Sequence, residues 1–419
     1  MGYANFGWCR VIASQRVFLN SKKNLFVPTL FACLWLAGTT LAQDKTTPNA
    51  IEIASQTEPI DISPFASCIS HWRTIRDESR FIKAEKDQPS YKPNEVEKIT
   101  QNILLFQRSN GGWPKDYDMT AILTPAQRAI VLSTRENNDT SYDNGNIHSQ
   151  VGYLAKAVAQ TDNAEWKNAC LRGLDFILRS QYANGGFPQR FPSPKGFHAH
   201  ITFNDGVMMG IMNLLRSASN GEAPFNWLDR DRRQQAKDAV DRGVLCLLKS
   251  QIRKDGKRTG WCQQHDEVTL EARPARTFEL ASNCPQETTE IVRFLMQQPA
   301  PSIELIEAVE SAIEWLESVR LTGIRIDRVR STKESFLRHD TDIDVVVVSD
   351  PNAKSIWARH YELETNRPVF AGRDGEKKYE LALIERERRT GTAWYGGWPN
   401  ALIEQDFPKW KQKIGTLQR

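Results

Sequence analysis

Apolar residues recur at helical spacing along most of the chain. In segments 164–178 and 236–248 they fall three and four residues apart, the stripe of an amphipathic helix. Three such stripes end alike. Phe106-Gln107 leads into Gly111-Gly112-Trp113-Pro114, Ser180-Gln181 into Gly185-Gly186-Phe187-Pro188, and Ser250-Gln251, more loosely, into Gly260-Trp261. Gly111, Gly185 and Gly260 stand 74 and 75 residues apart, a period that suits a pair of helices with its loops. Shorter apolar helices lie between. One follows Asp143-Asn144-Gly145 and another follows Asn204-Asp205-Gly206. A third, through Ile291 and Leu295, follows Asn283. The Asp and Asn residues at these starts read as N-caps.

Outer and inner helices alternating about a ring predict an all-α-dominated fold: an α/α toroid, or incomplete (α/α)3-type barrel, with long ordered loops. If the inner helices share one end, their opening Asp and Asn residues meet at a single mouth. Segment 305–319 reads as another amphipathic helix. Strand signals are sparse, chiefly segment 345–348 and Phe203.

The N-terminal region breaks the pattern. Lys22-Lys23 precede an apolar run over 25–41 that closes in Thr39-Thr40-Leu41-Ala42. This reads as a secretory signal over 1–42, with a true start codon nearer residue 20. The run is 17 residues and contains Pro28, short for a membrane span, so no stable membrane association is expected. Residues 43–64 read as a linker and 65–419 as one catalytic domain. Five cysteines remain beyond residue 42, with no CxxC pair. Buried single thiols are expected over a disulfide among Cys246, Cys262 and Cys284.

The chain has 419 residues, 25% charged, with a formal charge of +4. Arg10, Arg16, Lys22 and Lys23 carry that whole excess, so the rest is neutral. That disfavours a nucleic-acid partner. Any anionic ligand must be held by local clusters.

Ordered motifs add chemistry: Asn110-Gly111-Gly112-Trp113-Pro114-Lys115, Tyr142-Asp143-Asn144-Gly145, His200-Ile201-Thr202-Phe203-Asn204-Asp205, and Gly260-Trp261-Cys262-Gln263-Gln264-His265-Asp266. Ala275-Arg276-Thr277-Phe278-Glu279, Phe370-Ala371-Gly372-Arg373-Asp374-Gly375, Glu387-Arg388-Arg389 and Trp394-Tyr395-Gly396 follow. With these motifs, residues 85–405 resemble the pectate lyases of polysaccharide lyase family 10. The stretch Asn146-Ile147-His148-Ser149 departs from the small, Thr-rich residues expected after Asp143.

The resemblance implies an α/α toroid that cleaves polygalacturonate by β-elimination with Ca2+; the enzyme is expected to be a monomer. Asp143 and Asp205 would be metal ligands and Arg276 the proton-abstracting base. Lys115, Asn144, Gln264, His265, Arg373 and Arg388 would bind substrate. The chemistry is coherent: charge developing in the sugar carboxylate invites a cation, and Ca2+ takes hard oxygen ligands. An arginine base needs its pKa lowered by about 3 units, worth roughly 4 kcal/mol, which neighbouring cations would supply. The rival for Arg276 is a salt bridge to Glu279. Trp113, Trp261 and Trp394 are either sugar platforms or core, and 385–389 also reads as an exposed charged helix face. Rival functions are a helical-toroid glycoside hydrolase, a non-catalytic polygalacturonate-binding protein and a terpene-cyclase-like toroid.

Overall fold

The computed structural model describes residues 57–417. The 1–42 segment lies outside them, as does most of the 43–64 linker. The described end of that linker is structured: Ile60 is 2% exposed, and Ser63–Phe65 forms a helical turn. The packed unit therefore starts before residue 65.

Helices dominate: α1 (Ala66–Thr74), α2 (Val96–Phe106), α3 (Pro125–Ser133), α4 (His148–Thr161), α5 (Ala164–Ser180), α6 (Val207–Asn220), α7 (Arg230–Ser250), α8 (Pro285–Met296), α9 (Ile303–Ser318), α10 (Arg386–Gly391) and α11 (Phe407–Leu417). Three inner–outer pairs, α4–α5, α6–α7 and α8–α9, follow the outer helix α2, as the repeat predicts. Asn163, Asp229 and Ser302 cap the three later outer helices through side-chain oxygens. Among the described residues no helix is long and apolar enough to cross a membrane.

One glutamine explains how each repeat stacks on the next. At the end of α2, Gln107 Nε2 donates to the carbonyls of Gly111 (3.0 Å) and Ala169 (2.9 Å). Gln181, after α5, donates to Gly185 and Ala239, and Gln251, after α7, to Thr259 and Ala308. Each amide thus ties its own turn to the next outer helix, and Gln107 and Gln251, being buried, would be costly to leave unpaired. Gly111 (φ 99°) and Gly185 (φ 94°) press on that helix, where a Cβ would collide with the carbonyl oxygens of Arg172 and Arg242. Trp113 and Trp261 are fully buried and donate to the carbonyls of Ile103 and Leu247. With Trp394 at 3% exposure, the three tryptophans are core rather than sugar platforms.

Strands are short except one ribbon: β1 (Ile201–Thr202), β2 (Arg253–Lys254), β3 (Lys257–Arg258), β4 (Gln264–His265), β5 (Ala272–Arg273), β6 (Ile324–Ser335), β7 (Asp340–Ser349), β8 (Trp357–Ala358) and β9 (Tyr395–Gly396). The antiparallel order β1–β4–β5 carries two predicted site residues. The β6–β7 ribbon contains the expected 345–348 strand but is far longer, and Phe203 lies just outside β1. All five described cysteines are free and buried, as expected.

Candidate active site

The two acidic turns do not cap their helices. Asp143–Gly145 and Asn204–Gly206 are short 3-10 turns, and the residues at the N-cap positions of α4 and α6 are Ile147 and Gly206, without side-chain caps. Nor does Asn283 cap α8; its Oδ1 accepts from the Gly260 amide and the Thr259 hydroxyl instead. The N-cap expectation is thus corrected at all three helices. Asn144 (φ 58°) and Asp205 (φ 53°) occupy the same left-handed position in their turns, a conformation in which Asn and Asp are enriched. The two motifs are therefore structural repeats with acid and amide exchanged. Freed from capping, both carboxylates are available for other work.

Both turns face one cleft. Asp143 receives Lys115 Nζ on Oδ2 (2.6 Å) and Gln189 Nε2 on Oδ1 (3.0 Å). Burial alone would raise its pKa, but the Lys115 ammonium holds it below the ordinary value. Asp205 keeps solvent exposure yet is desolvated by the protein packed around it. That desolvation, with the negative charge of Asp143, pushes it up to about 7. Asn204 Nδ2 donates to Asp205 Oδ2 (2.9 Å), and Asn204 Oδ1 accepts from Arg359 and Gln263.

Arg276 faces this pair, and its charge acts on both Asp205 and Asp143. The lowering of its pKa expected from neighbouring cations is opposed here by acidic neighbours. Burial lowers it, but a fork to Glu279 and the two aspartates outweigh that, and the net shift is upward. Nε donates to Glu279 Oε2 at 2.8 Å, Nη2 bonds Oε1, and the Arg276 amide also reaches Oε2. The salt-bridge alternative therefore describes this state, although half the Arg276 side chain stays exposed (52%).

Phe278 gathers three guanidinium groups: Arg276 at 4.9 Å, Arg373 at 5.4 Å and Arg388 at 4.4 Å from its ring centroid. Such cation–π contacts lessen the cost of crowding like charges. Glu387 receives forks from both Arg373 and Arg388, which against burial hold its carboxyl down at about 2. Glu387 and Arg388 are buried, so 385–389 is not the exposed face the sequence suggested. Arg373 remains half exposed.

The other expected substrate ligands divide. Lys115 is partly exposed beside Asp143. Asn144 is occupied: Nδ2 donates to Asp116 Oδ1 (2.7 Å) and contacts His71 Nδ1, while Oδ1 accepts from Ser67. Gln264 is closed from solvent at 2%. His265 is a correction. It is fully buried, its Nε2 accepts from the Cys262 amide, and its Nδ1–H donates to the Leu270 carbonyl. Both ring nitrogens serve the backbone, so this histidine holds the β4–β5 loop rather than a sugar.

Sequence reasoning passed over His71, Asp116, Gln189, Arg190, His198 and Arg359. The repeat itself carried a signal for two of these. Lys115-Asp116 and Gln189-Arg190 follow Gly-Gly-aromatic-Pro at the same offset, so a role for Lys115 points to Gln189, and both touch Asp143.

An all-oxygen pair of repelling carboxylates suits a hard divalent cation. Among the described residues no group of three or more His, Cys, Asp or Glu is placed to hold a metal, and such an ion completes its shell with carbonyl, water and substrate oxygens. Arginines flanking this pair suit an anionic ligand.

The family model for pectic acid lyase matches residues 107–403. Among curated proteins nothing matches. A family 10 polysaccharide lyase from Cellvibrio cellulosa is similar in structure, with 28% identity, a TM-score of 0.61, and coverage of 77% of this chain and 96% of its own. A mutant of a family 10 polysaccharide lyase from the same organism, solved with trigalacturonic acid, gives 27% identity, a TM-score of 0.62, and coverage of 77% and 97%. The shared helical framework and a family match that takes in both acidic turns, Arg276 and the arginine cluster lead to one assignment: the chain belongs to the pectic acid lyase family and is a polysaccharide lyase.

Proposed function

We propose that this lyase cleaves α-1,4-polygalacturonate by calcium-assisted β-elimination, releasing 4,5-unsaturated oligogalacturonides. The observation that carries the reading is the meeting of Asp143, Asp205 and Arg276 in one cleft. The N-terminal signal pattern supports export, and the polymer is an extracellular one. The trigalacturonic acid bound by the similar lyase supports the substrate class. The enzyme is proposed to act as a monomer.

Asp143 and Asp205 are the residues that would hold calcium. When bound, that ion supplies positive charge against the sugar carboxylate, where charge develops in the transition state. The protein's own part starts with orientation. Lys115 and Arg373, both partly exposed, would meet substrate carboxylates, Lys115 as a point charge and Arg373 through the edge of its guanidinium not held by Glu387. Arg276 takes the C5 proton in its neutral form. The electron pair of that C–H bond becomes the C4–C5 double bond as the C4–O bond breaks, and the departing oxygen takes a proton from water. Glu279 opposes the neutral form by stabilising the guanidinium, so proton abstraction is favoured at alkaline pH and when substrate loosens the Arg276–Glu279 fork.

The test is incubation with polygalacturonate and Ca2+ while following ultraviolet absorbance of the conjugated product. A rise that chelator abolishes is expected. New reducing ends without absorbance would indicate hydrolysis, and binding without products a non-catalytic protein; either result overturns the proposal.

A further inference from the structure

Every other arginine named in the cleft is neutralised within the chain: Arg276 by Glu279, Arg359 by Glu287, and Arg373 and Arg388 by Glu387. Arg190 differs. No acid pairs with it among the described residues, and its Nε is buried without a hydrogen-bond partner. It is held in place by its backbone, which bridges to Ser141, two residues before Asp143. Its charge acts on both Lys115 and His198. Asp143 takes Lys115 and Gln189 on its two oxygens and makes no ion pair with Arg190. An uncompensated, partly desolvated guanidinium beside a polyanion site is costly unless a ligand completes it.

His198 supplies a second open group. Gln189 donates Nε2 to Asp143, so its Oε1 is the acceptor facing His198 Nδ1 at 2.5 Å. The imidazole must then carry its proton on Nδ1, which leaves the Nε2 lone pair free. No hydrogen bond to Nε2 forms among the described residues. The backbone amides of Gln189 and Arg190 both donate to the His198 carbonyl, so the two side chains stand on adjacent rungs.

We infer that Arg190 and His198 form a further uronate subsite on the Lys115 side of the cleft, the guanidinium taking a sugar carboxylate and the imidazole Nε2 accepting a sugar hydroxyl. This subsite rests on the polygalacturonate reading and extends the cationic track beyond Lys115, whose charge Arg190 feels. A carboxylate and a hydroxyl held there keep the same charge before and during bond cleavage. Their binding energy is therefore shared by ground and transition states and shows in KM rather than kcat.

The experiment compares wild type, Arg190→Gln, Arg190→Lys and His198→Phe by equilibrium binding of oligogalacturonates and by steady-state kinetics. Arg190→Gln should weaken binding and raise KM about tenfold, with kcat within about twofold. Arg190→Lys should recover part of the loss, since it keeps the charge without the fork. His198→Phe should weaken binding a few-fold. On highly methyl-esterified polymer the gap between wild type and Arg190→Gln should close. Unchanged binding by Arg190→Gln, a loss confined to kcat, or an equal loss on the esterified polymer would each overturn the subsite. Wild type that binds in an Arg190-dependent way without forming unsaturated product would instead refute the lyase chemistry and leave the subsite standing.

Discussion

Replacing Glu279 with Gln keeps the shape of the Arg276 partner and deletes its charge. In the structure Glu279 is buried and grips Arg276 through a fork plus a bond to the Arg276 amide. A unit charge about 4 Å away at an effective dielectric near 20 is worth ~4 kcal/mol. Arg276 is 52% exposed, so solvent screening cuts this to about 1–2 kcal/mol, or roughly one pH unit. The sign follows from which form Glu279 favours. Its carboxylate stabilises the guanidinium, so removing it lowers the Arg276 pKa and makes the neutral base available at lower pH. The acid limb of kcat/KM for polygalacturonate, followed by absorbance of the unsaturated product, should therefore move down by about one unit. Asp205 and Asp143 still hold the guanidinium charged, so the limb stays alkaline. An unmoved limb, or one that moves upward, would refute Arg276 as the titrating base.

Asp205→Asn should weaken Ca2+ binding at least tenfold in the presence of trigalacturonate, measured calorimetrically, if it removes one of the two carboxylates proposed to hold the ion. His265→Ala should lower unfolding stability by about 2–4 kcal/mol in urea, through the cavity and the orphaned Cys262 amide and Leu270 carbonyl, and leave KM unchanged. Acid should destabilise the fold through its buried neutral histidines. Burial lowers His265 to about 4 and His360 to about 3 from 6.5. The unfolded chain therefore binds protons first, and stability on the order of 3 kcal/mol apiece is lost as pH falls from 6.5 towards those values. Thermal melts across that range should show the drop, and His360→Phe should flatten part of it.

Local pattern was enough for the framework. Helical periodicity and the Gly-Gly-aromatic-Pro turns set the helix pairs and their order, because an amphipathic stripe and a glycine-bearing turn act over a few residues wherever the chain goes. The same repeat placed Asp143 and Asp205 at one mouth. The length of β6–β7 was hidden, since its charged outer positions mask the strand alternation outside 345–348.

Partnership within the site was not legible. His265 and Asn144 look like ligands in a motif, yet one is enclosed by its own loop and the other is spent on Asp116 and His71. Glu279 and Glu387 decide which guanidinium charge is neutralised, while the open Nε2 of His198 depends on Gln189 reaching Asp143. Those outcomes depend on side chains brought together from distant parts of the chain, and on how much water each one loses there. Chain order specifies neither the neighbour nor the dielectric, so only the packed structure could assign them.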